Sequence, residues 1–137
     1  MVRAFPRNLD ALEGVFSFVE QALASVDTRQ VDVRDIQLVV EELFTNCLRY
    51  NADGQRDVEI ELRIAKQRLQ VIVTDHGVKP FDITQVPVLD PARPLSERRG
   101  GGMGLQLVRS LCDDLRYEHT QGTSRIIAEK QLRSDDV

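Results

Sequence analysis

The spacing of apolar residues changes along the chain, and each change predicts an element. Val2 to Phe5 alternate weakly and stop at Pro6, which fits a short edge strand. Asn8 reads as a helix N-cap, and Leu12, Val15, Phe16, Val19 and Leu23 then recur at helical spacing, predicting an amphipathic helix to about Ser25. Asp27 to Asp32 is a polar connection. Between Val33 and Tyr50, the residues Ile36, Val40, Leu43, Phe44 and Cys47 mark the apolar side of a second helix, which Asn51-Ala52-Asp53-Gly54 stops. The period then falls to two. Val58, Ile60, Leu62 and Ile64 alternate with Glu59, Glu61 and Arg63, a half-exposed strand. After a tight turn at Ala65 to Arg68, Leu69 to Val73 return as a more buried strand, completing an antiparallel hairpin that ends in Thr74-Asp75-His76-Gly77.

Val78 to Arg99 has no clean period and carries Pro80, Pro87, Pro91 and Pro94. A loop this long inside a compact domain is usually functional or mobile. A third helix is expected from about Met103 to Cys112, with Leu107 and Leu111 facing inward. Leu115 to His119 and Ser124 to Gln131 read as a last hairpin around Gln121-Gly122-Thr123, and residues 132–137 as a flexible tail. This order predicts an α+β fold: a two-layer sandwich with a mixed, mostly antiparallel sheet and helices on one face.

The length of 137 residues fits one domain, 1–137, with a real core. Eighteen basic and twenty-two acidic residues, with no dense basic block, argue against general nucleic-acid or anionic-membrane binding. No apolar run reaches membrane-spanning length, and Met1 to Pro6 does not read as a signal peptide, so a cytoplasmic location is expected. Cys47 and Cys112 fall in helical patterns with no C-x-x-C partner and read as small buried hydrophobes. His76 and His119 lack metal-ligand spacing.

Four polar features carry candidate chemistry. Glu42 and Asn46 are four apart and share one helix face, as a solvated face or as oxygen ligands suited to Mg²⁺. Asp75, just after a buried strand and two before Gly77, is either a turn residue or an acceptor for an exocyclic amine such as adenine's. Arg98-Arg99-Gly100-Gly101-Gly102-Met103-Gly104 precedes a helix, and is a flexible loop or a phosphate cradle on the helix's free amides. Thr123 follows Gly122 and is a turn threonine or a support for the same site.

In this order the four features resemble the GHKL ATPase superfamily, which includes gyrase, the heat-shock ATPase, histidine kinases and the mismatch-repair ATPase. The nearest likeness is to its stand-alone bacterial branch, the anti-sigma-factor serine kinases of partner-switching systems. The resemblance runs from Val2 to about Leu132. Val40 to Asn46 is similar to the N box, Asp75 to Asp82 to the first glycine box, and Gly100 to Leu105 to the second.

The resemblance implies a Bergerat-type ATP-binding fold using ATP and Mg²⁺. Asn46 is then the Mg²⁺ ligand and Glu42 the general base. Asp75 receives the adenine amine, with Gly77 beneath the ring and Thr123 in support. Residues 78–99 form a lid, Gly102 and Gly104 offer amides to the phosphates, and Arg98 or Arg99 neutralises γ-phosphate charge. A free glutamate titrates near ~4.3, so Glu42 is expected to be a weak base that depends on placement. Two positions depart from the branch: Tyr50 stands where His is common, and Lys79 or Pro80 where a second glycine is common.

The function implied is an ATP-dependent protein serine kinase. It would phosphorylate an anti-anti-sigma (STAS-type) protein, sequester a sigma factor, or both, as a homodimer without direct nucleic-acid or membrane contact. The alternatives are a nucleotide-gated binding regulator without kinase activity and a histidine-kinase-type ATP-binding domain. Neither His76 nor His119 lies on an expected helix, where a phospho-accepting histidine would be placed.

Overall fold

The computed structural model describes residues 1–27, 29–85 and 102–133. Five strands form one sheet: β1 (Val2–Phe5), β2 (Val58–Ala65), β3 (Arg68–His76), β4 (Asp114–Thr120) and β5 (Thr123–Gln131). Their order is β1-β2-β3-β5-β4, with β1 at one edge as its length and Pro6 predicted. The sheet expected to be mixed is antiparallel at every described pairing.

Three helices cover one face: α1 (Leu12–Ala22), α2 (Val33–Tyr50) and α3 (Gly102–Leu111). Period-two alternation sends Val58, Ile60, Leu62, Leu69, Val71, Val73, Ile126 and Ala128 toward the helices, all buried. Asp32 caps α2, accepting the amide of Arg34 at 2.9 Å, and the whole span from Val33 to Tyr50 is helical as expected.

Several expectations are corrected. Asn8 caps only a 3-10 turn at Leu9–Ala11 and makes no side-chain capping bond. α1 ends at Ala22, not near Ser25, and its inner face uses Phe18, fully buried and edge-on to Phe5 at 5.7 Å, while Phe16 is only half-buried. On α3 the buried residues are Leu105 and Val108; Leu107 is 37% exposed. The inner face therefore runs through Leu105 and Val108 to Leu111, which packs against the core as expected, and leaves Leu107 off it. Leu132, placed in the expected tail, is buried, and its amide donates to the Gln67 carbonyl at 2.7 Å; residues 134–137 lie outside the described residues.

β3 also runs three residues beyond Val73, so Asp75 lies inside a strand and pairs with Ser124 instead of following the strand.

The β2–β3 turn places Lys66 at φ 53° and Gln67 at φ 67°. Two central residues at positive φ suit the right-handed twist of a tight hairpin but strain residues with a Cβ. Gln67→Gly is therefore expected to raise the urea unfolding free energy by about 0.5–1 kcal/mol, the relieved strain exceeding glycine's added chain entropy. Unchanged or lower stability would show that the turn carries no such strain.

Candidate functional site

The end of β3 carries a carboxylate on the otherwise apolar helix-facing side of the sheet. Asp75 is 1% exposed. Arg7, two residues past β1, reaches it with both guanidinium ends: Nη1 donates to Oδ1 at 2.5 Å and Nη2 to Oδ2 at 3.2 Å. Asn51, just after α2, adds a bond from Nδ2 to Oδ2 at 2.9 Å. The same guanidinium donates to the carbonyls of Asn51 at 2.8 Å, Cys47 at 3.1 Å and Arg56 at 3.3 Å. The planar fork fits a carboxylate edge-on, which a lysine cannot reproduce. Gly54 leaves the room it needs, since a Cβ there would lie 2.5 Å from Arg7 Cζ. Sequence reasoning missed Arg7, Asn51 and Gly54. Arg7 lies 68 residues from Asp75, and no periodic pattern links them.

Cys47 borders this cluster. Burial, reinforced by the Asp75 carboxylate, pushes its thiol up to about 12, and burial likewise pushes Cys112 up to about 11. Both thiols stay neutral, as small hydrophobes should.

One turn back along α2 lie Glu42 and Asn46. Asn46 is 1% exposed, and its Oδ1 accepts from Arg49 Nη1 at 2.9 Å. Asn46 Nδ2 and Glu42 Oε2 are buried and have no hydrogen-bond partner among the described residues. Leaving such a group unmade costs about 1–3 kcal/mol, so two on neighbouring turns mark a place built for a polar ligand. Burial raises the pKa of Glu42 above the ordinary glutamate value; Arg49 opposes the shift and Glu41 adds to it. The carboxylate is thus a better base than the free-glutamate value suggested. An amide and a carboxylate present only oxygen ligands, which fits Mg²⁺. No group of three or more His, Cys, Asp or Glu that could hold a metal occurs among the described residues, so phosphate and water oxygens would have to complete such a site. Arg49 also lies 5.8 Å over the Tyr50 ring. Its position three residues after Asn46 was the available signal for its role.

Gly77 has φ +69°, and an added Cβ would meet nothing within 4 Å, so the chain turns here beside open space. The start of the expected lid is well anchored. The Val78 amide donates to Gly122 at 2.9 Å, and His119 Nε2 donates to the Val78 carbonyl at 2.8 Å. The Lys79 amide donates to Asp53 at 3.1 Å and the Phe81 amide to Tyr117 Oη at 2.9 Å. Tyr50 stacks on Phe81, with ring centroids 4.9 Å apart at 8°. Ile83, in a 3-10 turn at Ile83–Gln85, is buried, and Arg109 of α3 donates to the Thr84 carbonyl. Arg98, Arg99 and the rest of the expected lid lie outside the described residues. Gly102 and Gly104 are the first and third residues of α3, one residue ahead of the expected start. An opening turn has amides without intrahelical partners.

Thr123 is not brought to this site. It pairs with His76 on the opposite face of the sheet, where its Oγ1 is 3.3 Å from His76 Nδ1, and His76 Nε2 meets Glu59 at 3.1 Å. Strand alternation puts the next residue, Ser124, on Asp75's side, where it is buried. The hydroxyl on Asp75's side of the sheet is therefore that of Ser124 and not of Thr123.

The family model for the histidine kinase-like ATPase domain matches residues 5–130. The chain belongs to this family. This ATPase domain is 31% identical over 126 residues to the anti-sigma F factor of Clostridium novyi, covering 86% of the chain and 87% of that protein. It is 29% identical over 112 residues to the serine-protein kinase RsbW of Bacillus subtilis, covering 77% and 69%. Among solved structures, the RsbU and RsbW domains of a Mycobacterium tuberculosis protein superpose with TM-score 0.65 at 17% identity, over 98% of this chain and 33% of that longer one. The catalytic domain of the histidine kinase ThkA gives 0.54 at 14% identity, over 96% and 95%. At such identities the likeness is one of fold, and it agrees with the α+β sandwich.

The histidine kinase-like ATPase domain holds Glu42 at a cost, and pH reveals it. A carboxyl whose folded pKa is raised contributes stability that is full below its unfolded value and lost as pH rises through the folded one. Glu42→Gln should therefore match the wild type in urea unfolding near pH 4 and exceed it at pH 7, with Tm higher by a few degrees. A less stable variant at pH 7 would mean the buried carboxylate has partners after all.

Proposed function

We propose that this ATPase domain is an ATP- and Mg²⁺-dependent protein serine kinase. Its substrate is a serine of a small anti-anti-sigma (STAS-type) protein, and it holds a sigma factor as the competing partner, working as a homodimer. One observation carries the catalytic part: the unpartnered Glu42 Oε2 and Asn46 Nδ2, buried on adjacent turns of α2. The names of two relatives, a serine-protein kinase and an anti-sigma factor, support the partner class.

In this reading Asp75 accepts the adenine amine, and Gly77 leaves the ring room. The opening amides of α3, at Gly102 and Gly104, face the phosphates, and Arg49 adds positive charge beside Asn46. Asn46 would hold Mg²⁺ through its side-chain oxygen, the atom that now accepts from Arg49. When bound, the ion neutralises phosphate charge as phosphoryl transfer requires. Glu42 accepts the serine proton as the hydroxyl oxygen bonds to the γ-phosphorus and the bond to the ADP oxygen breaks. Burial equips it for this, because a base with a raised pKa has a stronger pull on the proton. A purely sequestering regulator has no use for such a group.

The test is transfer of label from γ-labelled ATP to candidate partner domains. Glu42→Gln should lower the rate by roughly 10²–10⁴-fold with ATP affinity largely kept. Asn46→Ala should instead abolish the Mg²⁺ dependence of ATP binding. Tight ATP binding by the wild type with no transfer to any partner would leave a nucleotide-gated regulator in place of a kinase.

A further inference from the structure

The cluster around Asp75 is more elaborate than anchoring a strand end requires. A carboxylate offers about four lone-pair positions. Among the described residues three are filled: Oδ2 accepts from Asn51 Nδ2 and Arg7 Nη2, and Oδ1 from Arg7 Nη1. One position remains, on Oδ1. The guanidinium fork sets the plane of the carboxylate and hence the direction of that remaining lone pair. Arg7 is itself immobilised by three backbone carbonyls and by contact with Gly54, so the direction is inherited from α2 and the 51–56 loop. Open space begins two residues away, at Gly77.

We propose that Arg7, seated against Gly54 and assisted by Asn51, is the residue that determines base specificity. It orients Asp75 so that Oδ1 accepts the exocyclic amine of a 6-aminopurine. This rests on the proposed role of Asp75 as the purine acceptor. Because Arg7 matches the charge of Asp75, a neutral base is read without bringing a cation of its own. A 6-oxopurine would set a carbonyl oxygen against the carboxylate with no proton between them, and a purine with hydrogen at that position would leave Oδ1 unanswered. Asp75 is 1% exposed and fixed, so its carboxylate rewards only the base that fits. Arg7 touches no reacting atom and acts entirely through Asp75.

The experiment compares dissociation constants, with Mg²⁺, of ATP, inosine triphosphate and purine riboside triphosphate for the wild type, Arg7→Lys and Gly54→Ala. The last variant keeps the arginine and its charge but pushes the fork away. The wild type should prefer ATP over purine riboside triphosphate by roughly 10–100-fold, the effect of one hydrogen bond to a charged acceptor. In both variants the preference should collapse to within about 3-fold, while affinity for the amine-free nucleotide changes little. Equal weakening of all three nucleotides would overturn the proposal, leaving Arg7 a purely structural tie. Tighter ATP binding by Arg7→Lys would overturn it too, by making Arg7 a barrier. A wild type that does not distinguish ATP from purine riboside triphosphate would instead sink the reading of Asp75 itself, and this inference with it.

Discussion

A carboxylate buried to 1% exposure cannot stand alone in a protein interior, and the pairing of Asp75 with Arg7 is the constraint around which this fold closes. Removing one partner from such a pair typically costs about 3–5 kcal/mol, because the other charge is left without water or counter-ion. The pair does more than neutralise charge. Arg7 leaves β1, crosses to the last turn of α2 through Cys47 and Asn51, and touches the following loop at Arg56 before it reaches β3. Two stretches distant in sequence from Arg7, residues 47–56 and the end of β3, are thereby fixed to one guanidinium. Apolar packing brings the helices onto the sheet, but packing is non-directional. The directional bonds of this cluster set where the end of β3 lies relative to α2, and so where Asp75 lies relative to Asn46.

Strand register then sorts the polar groups. On the helix side of β3, Leu69, Val71 and Val73 are buried apolar residues, and Asp75 continues their row. On the other side the row ends in His76, bonded to Glu59 and Thr123 and facing away from the site. A single residue of difference decides membership, because the pleat has a period of two. Thr123 and Ser124 show this directly: the start of β5 supplies a hydroxyl to each face.

Much of the architecture could be read from hydrophobic spacing, because α2, β2 and the two hairpins have strong periods and clear stops. The candidate residues on α2 were also accessible, since four-residue spacing on a helix settles which side chains are neighbours. What escaped was of two kinds. The inward faces of α1 and α3 slipped, with Phe16 taken for Phe18 and Leu107 for Leu105 and Val108, because both helices are short and carry apolar residues on more than one face. The Arg7–Asp75–Asn51 cluster escaped for a different reason. It is a tertiary arrangement of three unremarkable polar residues, and an arginine after a proline looks like any solvated arginine until the chain is folded around it. The hydroxyl at position 123 failed because β3 and β5 extend one to three residues further than their apolar cores, which changes which residue faces Asp75.

The two carboxylates of the candidate site are held in opposite conditions, and that contrast supports the different roles proposed for them. Asp75 is saturated with donors except at one lone pair, a geometry that permits recognition and little else. Glu42 is half-buried, short of partners at Oε2, and shifted by that burial toward a stronger base. A fold that needed only stability would have given Glu42 a donor or replaced it with a neutral side chain. Different donor shells let one scaffold hold two carboxylates for different work. Here the separation follows α2: its last turn completes the donor shell of Asp75, and the turns before it leave Glu42 short of one.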